Sequence, residues 1–126
     1  MTGERQVPNP LQRGDVVLAP DPFRDDVDSV RPWTVVNNDS HPFDGEQYVA
    51  MALTTKTWYE DRIPIRDDHF RSGQTPADSS IVPHAVASLQ PSMLTDHVCR
   101  LWSDPLDRAV DRLTTYLIAT SDASRT

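Results

Sequence analysis

The chain has 126 residues, the size of a single domain. Hydrophobic residues make up 37% of it and its net charge is −7, a balance that excludes a disordered polyelectrolyte. Its one cysteine, Cys99, excludes an intrachain disulfide framework and a cysteine-based zinc finger.

The first half of the chain predicts strands separated by polar loops. Residues 1–12 are polar, and we expect them to form a flexible tail. Pro20–Val30 and Asn38–Gly45 have turn chemistry and predict loops. The apolar runs between these segments predict buried strands. They are Asp15–Ala19, the WTVVN run after Arg31-Pro32, and Gln47–Thr54.

The second half predicts shorter strands around one long polar loop, Asp67–Ser79. Pro64 is expected at a sheet edge or bulge, and Pro83 is expected to end the strand that precedes it, because proline cannot donate a ladder hydrogen bond. The predicted strands are Arg62–Ile65, Ser80–Val82, Val86–Leu89 and Leu94–Trp102.

One helix is predicted near the end of the chain. Asp104 is the expected cap and Pro105 the expected first helical residue. The apolar residues that follow recur at helical spacing and predict one buried face. They are Leu106, Ala109, Val110, Leu113 and Leu117. Residues 119–126 are polar again and predict a second flexible tail.

The fold class is therefore mainly β, with five to seven short strands and one C-terminal helix. Because no helical crossovers separate the strands, the sheet is expected to be antiparallel. A small closed or half-closed barrel would protect its edges.

The ordered motifs of the chain resemble the MazF/PemK family of toxin endoribonucleases. GDVVLAPDPF, then RPWTVVNN, then a strand ending in LTT match its first three strands. SSIVPHAVASL resembles a later strand pair, and RLWSDPLDRAVDRLTTYL resembles the last strand and C-terminal helix. The resemblance covers residues 13–118, which we take as the domain between the two tails.

The resemblance implies an SH3-like antiparallel barrel of the CcdB/MazF type that forms a homodimer. It also implies metal-independent cleavage of single-stranded RNA and a cognate antitoxin. The family's main catalytic pair falls on Arg31 and Thr54, with Thr55 beside them. The Arg and Asp that some members use in a later strand do not carry over, since Val82 and His84 stand there.

This chemistry is consistent with the residue types. RNA is cut when its own 2′-hydroxyl attacks the adjacent phosphate, which yields a 2′,3′-cyclic phosphate and needs no metal or cofactor. The enzyme must stabilise charge on phosphorus and move protons. Arg31, restricted to an extended backbone by Pro32, offers a planar fork of donors to phosphate oxygens. Thr54 is suited to donate a hydrogen bond but is a poor base, and His84 is the candidate proton acceptor.

Substrate binding is expected from Trp58 and Tyr59, which can stack on bases, and from Arg62 and Arg66, which can contact phosphates. Each candidate has a structural alternative. The aromatic residues can be ordinary packing, and Arg62 and Arg66 can pair with neighbouring aspartates. Arg31 can pair with the Asp-rich loop Pro20–Val30, and Thr54 and His84 can be a strand-end hydroxyl and an inert loop histidine.

No metal site is predicted. The other histidines, His41, His69 and His97, are scattered without ligand spacing. Asp25, Asp26 and Asp28 lack the glycine and closing glutamate of a calcium loop.

The types of charged residue in the chain bear on whether it can bind RNA. Of the acidic residues 16 are Asp and 3 are Glu, and of the basic residues 11 are Arg and one is Lys. This surface resembles that of proteins from salt-loving archaea, with a high-GC codon bias as the alternative. Because molar salt shortens the Debye length to about 3 Å, the acidic charge does not exclude an RNA substrate. Binding would then rest on short-range hydrogen bonds and stacking.

The sequence predicts a cytoplasmic protein without membrane association. No segment approaches the ~18–20 apolar residues of a membrane span, and the polar N-terminus is unlike a secretory signal. Two other functions remain open. One is a catalytically silent SH3-like module that binds a protein partner, and the other is a toxin directed at a topoisomerase.

Overall fold

The computed structural model describes residues 7–22 and 29–118, which form seven strands and one α-helix. The elements are β1 (Asp15–Pro20), β2 (Val30–Val35), β3 (Tyr48–Thr54), β4 (Ile63–Pro64), β5 (Phe70–Gly73), β6 (Ser80–Leu89), β7 (Asp96–Leu101) and α1 (Ser103–Leu117). The strands make one antiparallel sheet in the order β4-β6-β3-β2-β1-β7-β5, curled into a half-barrel. The predicted fold, a small SH3-like antiparallel barrel with a C-terminal helix, is confirmed.

Both faces of the central strands are buried, which explains their almost continuous apolar sequence. Successive side chains of a strand point to opposite faces. In β3, Tyr48, Ala50 and Ala52 therefore join one apolar cluster, while Met51 and Leu53 join the other. The second cluster also contains Leu106 and Ala109 of α1, so the helix covers that face.

Gly14 allows β1 to begin directly against β7. Its φ of +99° lies in the region that favours glycine, and a Cβ there would collide with the Leu101 carbonyl oxygen. The Leu101 N–H donates to the Gly14 carbonyl at 2.9 Å.

The prediction that Pro83 ends a strand is wrong, because β6 continues through it to Leu89. The register with β3 steps from Ile81↔Leu53 to Val86↔Met51, so residues 82–85 bulge opposite one residue of β3. Proline is tolerated in such a bulge, where no ladder hydrogen bond is required of it. Pro64 lies in the edge strand β4, as predicted.

The segment Asp67–Ser79 is not one long loop, because it contains a 3-10 turn (Asp67–His69) and β5. His69 is buried, and its Nδ1 accepts a hydrogen bond from the Arg66 N–H at 2.9 Å. The Trp102 N–H donates to the His69 carbonyl at 2.8 Å, and β5 pairs with β7. The bond from Trp102 and the pairing with β7 are long-range contacts that order this mostly polar segment.

The helix α1 begins one residue before the predicted cap, and Trp102 at its N-cap makes no side-chain capping bond. Asp104 instead places Oδ2 3.4 Å from Nε2 of His69. Leu106 and Ala109 are buried as predicted, whereas Leu117 at the helix end is 72% exposed. The buried face is therefore concentrated in the first half of the helix.

Parts of the predictions lie outside the described residues. These are the tail over residues 119–126, residues 1–6 of the first tail, and Asp25, Asp26 and Asp28. Leu11, in the remainder of the first tail, is buried, and its N–H donates to the Tyr48 hydroxyl at 2.9 Å.

Candidate functional site

A cleft of about 600 Å³ lies where β2 begins and β3 ends. The register Trp33↔Ala52 places residue 31 level with residue 54, because the two strands are antiparallel neighbours. The predicted site residues that line this cleft are Arg31, Thr54, Thr55, Trp58 and Tyr59. The sheet thus brings the two motifs RP and LTT to one concave surface, which we call the Arg31 cleft.

The guanidinium of Arg31 is held by neighbouring oxygens. Its Nη2 donates to the Leu53 carbonyl at 2.7 Å, and its Nη1 lies 3.5 Å from Oδ2 of Asp21. Asp21 belongs to the Asp-rich loop, so the ion pair considered as an alternative is present in the same cleft. The side chain is 21% exposed. Because a guanidinium carries five N–H donors, these contacts orient it and leave donors for a ligand.

Thr54 is buried but reaches the lining of the Arg31 cleft. Its Oγ1 accepts a hydrogen bond from the Lys56 N–H at 3.1 Å. Since a hydroxyl can accept and donate at once, the Thr54 proton remains available to a ligand oxygen.

Trp58 and Tyr59 form an aromatic edge to the cleft. Their ring centroids lie 5.9 Å apart, and Nζ of Lys56 lies 5.3 Å from the Trp58 ring centroid. Trp58 is 68% exposed, so ordinary core packing does not account for it. An exposed ring next to a cationic side chain is suited to stacking on a nucleobase.

His84 lies beside the Arg31 cleft. It lines a smaller cleft of about 210 Å³ together with Arg31 and Tyr59. The residue sits in the bulge of β6 and its Nδ1 lies 2.7 Å from Oδ2 of Asp61. It is therefore hydrogen-bonded to a carboxylate and is not an isolated loop histidine.

Arg62 and Arg66 line neither cleft. Nη1 of Arg62 donates to the carbonyls of Thr57 at 2.7 Å and Tyr59 at 3.1 Å, which supports the connection between β3 and β4. Arg66 contributes its backbone N–H to the bond with His69.

Sequence reasoning missed three charged residues at or near the site: Asp21, Lys56 and Asp61. Lys56 had a visible signal, because it is the chain's one lysine and directly follows LTT. Asp21 and Asp61 had none, since each meets its partner through the tertiary fold.

A larger cleft of about 830 Å³ adjoins the Arg31 cleft and shares Pro32, Thr55 and Ser79 with it. Its remaining lining is mostly neutral, with Asp96 as the exception. The two clefts together make an extended concave surface.

Within residues 7–22 and 29–118, no three His, Cys, Asp or Glu side chains are grouped so as to hold a metal ion. The helices in those residues are too short or too polar to cross a membrane.

The sequence matches a family described as a PemK-like, MazF-like toxin of type II toxin-antitoxin systems, over residues 12–117. No curated protein matches the chain. Among solved structures, a mycobacterial endoribonuclease in complex with its cognate antitoxin is 18% identical, with a TM-score of 0.64 over 85% of this chain and 94% of that one. MazF from Deinococcus radiodurans is 14% identical, with a TM-score of 0.65 over 85% of this chain and 96% of that one. These likenesses show a shared fold.

Proposed function

Because the chain belongs to the PemK-like, MazF-like toxin family of type II toxin-antitoxin systems, we propose that it is an endoribonuclease acting on single-stranded RNA. The observation that carries this proposal is the meeting of Arg31 and Thr54 in one cleft with exposed Trp58. The cleft joins a phosphate-binding cation, a hydroxyl donor and a stacking surface. The similar mycobacterial structures are described as endoribonucleases.

In the proposed reaction the RNA supplies its own nucleophile. The 2′-oxygen attacks the adjacent phosphorus, the bond from phosphorus to the 5′-oxygen breaks, and a 2′,3′-cyclic phosphate remains. Negative charge grows on the nonbridging oxygens as the phosphorane forms. Arg31 stabilises that charge through its remaining N–H donors and Thr54 through its hydroxyl proton. This reaction requires no metal ion.

Bases on either side of the scissile phosphate are held by short-range contacts. Stacking on an aromatic ring contributes about 1–3 kcal/mol per base, which suits Trp58 and Tyr59 at the cleft edge. Lys56 adds a second positive charge to the lining.

The test is incubation of the purified protein with single-stranded RNA in EDTA. We expect cleavage with cyclic phosphate ends, and its loss in Arg31→Ala. Arg108→Ala is the matched control, because Arg108 is exposed on α1 and does not line the cleft. RNA that stays intact with folded protein, or product ends other than cyclic phosphate, would contradict the proposal.

We also propose a homodimer and a cognate antitoxin as partners. The family description places its members in toxin-antitoxin systems, and one similar structure was solved with its antitoxin. Several large apolar side chains are exposed here and would be covered by partners. They are Val30, Phe43, Trp102, Leu117 and Ile118. Light scattering should give twice the chain mass of 14.2 kDa, and a value of 14.2 kDa would contradict the dimer.

A further inference from the structure

Three side chains form a hydrogen-bonded row, and one of them, His84, lines a small cleft together with Arg31. Nδ1 of His84 lies 2.7 Å from Oδ2 of Asp61, and the Tyr116 hydroxyl donates to the same Oδ2 at 3.3 Å. The Asp61 side chain is only 14% exposed, whereas that of His84 is 52% exposed. The carboxylate thus lies behind the imidazole, and the imidazole faces solvent.

The row is assembled by three separate elements. His84 is carried on the bulge of β6, Asp61 on the connection between β3 and β4, and Tyr116 on the last turn of α1. Bulges re-aim side chains, and this one brings His84 to the small cleft that Arg31 also lines. The Tyr59 ring packs beside the imidazole, with centroids 5.8 Å apart.

The hydrogen bond between His84 and Asp61 determines which imidazole nitrogen is available to accept a proton from the substrate. An ionised carboxylate only accepts hydrogen bonds, so Nδ1 of His84 must donate to Asp61. In the neutral ring the proton is then on Nδ1 and Nε2 carries the lone pair. A carboxylate behind a histidine holds both the tautomer and the ring orientation in this way.

We propose that Asp61 is a positioning residue that holds His84 as the proton acceptor for the 2′-hydroxyl, an inference that rests on the proposed ribonuclease function. Nε2 of His84 takes the 2′-hydroxyl proton as the 2′-oxygen forms its bond to phosphorus. The bond from phosphorus to the 5′-oxygen breaks, and that oxygen takes a proton from water. The hydroxide left behind takes the proton from the imidazolium, which restores the neutral ring.

The experiment compares single-turnover cleavage of single-stranded RNA in EDTA by the wild type, His84→Gln, Asp61→Asn and the double variant. General base catalysis typically contributes about 10²–10⁴-fold, so His84→Gln should lose that much. Asp61→Asn should also lose rate, because an amide can donate to Nδ1 and so favour the wrong tautomer of His84. Asp111→Asn on the exposed face of α1 is the matched control and should cleave normally.

Three readouts separate positioning from a structural effect. Adding Asp61→Asn to His84→Gln should cause no further loss, because residues that act as a unit are not additive. The wild-type rate should fall on acidification, because a protonated imidazole cannot accept the 2′-hydroxyl proton, and His84→Gln should lack that fall. The variant His84→Ala keeps Asp61, and added imidazole should restore part of its cleavage rate.

The outcomes are distinguishable. Wild-type protein that leaves RNA intact overturns the proposed function and this inference with it. Wild-type cleavage together with normal cleavage by Asp61→Asn overturns the inference alone. So does a further loss in the double variant, or a His84→Ala rate that imidazole does not raise. The His84→Ala arm still tests His84 as the proton acceptor, and can still overturn the inference, even if Asp61→Asn fails to fold.

Discussion

Replacing Arg31 by lysine separates the geometry of the guanidinium from its charge. Arg31 spans the Leu53 carbonyl at 2.7 Å and the Asp21 carboxylate at 3.5 Å while it lines the cleft. A lysine ammonium keeps the positive charge but lacks the planar fork. It cannot contact these oxygens and a pair of phosphate oxygens in the same arrangement.

The expected loss of cleavage rate in Arg31→Lys follows from the hydrogen-bond donor that the transition state loses. Removing one such donor costs about 2.7–4 kcal/mol, which corresponds to 10²–10³-fold in rate. We therefore expect Arg31→Lys to lose roughly 10²-fold in single-turnover rate. Loss of the bond to the Leu53 carbonyl should lower the free energy of unfolding by about 1 kcal/mol.

The assay pairs cleavage with binding. Single-turnover rates are measured in EDTA, and affinity is measured with an RNA carrying a 2′-deoxy group at the scissile position, which removes the nucleophile. Arg31→Lys should reduce the rate far more than the affinity, and Arg108→Lys should change neither. A wild-type rate in Arg31→Lys would refute the role of the guanidinium fork. An unchanged rate combined with lower stability would reduce Arg31 to a structural residue.

Three further changes test the remaining parts of the structure. Thr54→Val keeps the branched shape but removes the hydroxyl, so its cleavage rate should fall roughly 10²-fold, while Thr54→Ser retains activity. A Thr54→Val rate equal to that of the wild type would exclude a catalytic role for the hydroxyl. Trp58→Ala should weaken binding of the 2′-deoxy RNA by about 1–3 kcal/mol without affecting urea unfolding, because the ring is exposed. Unchanged affinity would remove the stacking role. Gly14→Ala should lower the free energy of unfolding in urea by at least about 1–3 kcal/mol, since it strains a positive φ and collides with the Leu101 carbonyl. Wild-type stability would contradict that local geometry.

The structural features that the sequence predicts correctly are those that depend on neighbouring residues in the chain. The YVAMAL run is apolar throughout because β3 is covered on both faces, so its composition alone indicates a buried strand. Arg31 and Thr54 stand at the beginning and the end of consecutive antiparallel strands. That arrangement brings them to the same end of the sheet.

The features that escaped prediction depend on partners far away in sequence. The β5 strand lies in a polar segment and is ordered by pairing with β7, which no local pattern reveals. His84 meets Asp61 only because β6 bulges, and the bulge shows in the register with β3. The sequence predicts a strand end at Pro83 because a proline inside a bulge and a proline after a strand look alike in sequence.

The proposed phosphate site at Arg31 is compatible with the net charge of −7. Repulsion between the acidic surface and RNA acts over the Debye length, which falls from about 10 Å at 0.1 M salt to about 3 Å at 1 M. Hydrogen bonds from a guanidinium to phosphate act at about 2.7–2.9 Å, within that range even in molar salt. Salt therefore weakens the long-range repulsion more than the direct contacts. Asp21 orients the guanidinium of Arg31 at close range, and because the two charges are opposite, the pair adds little to the distant field.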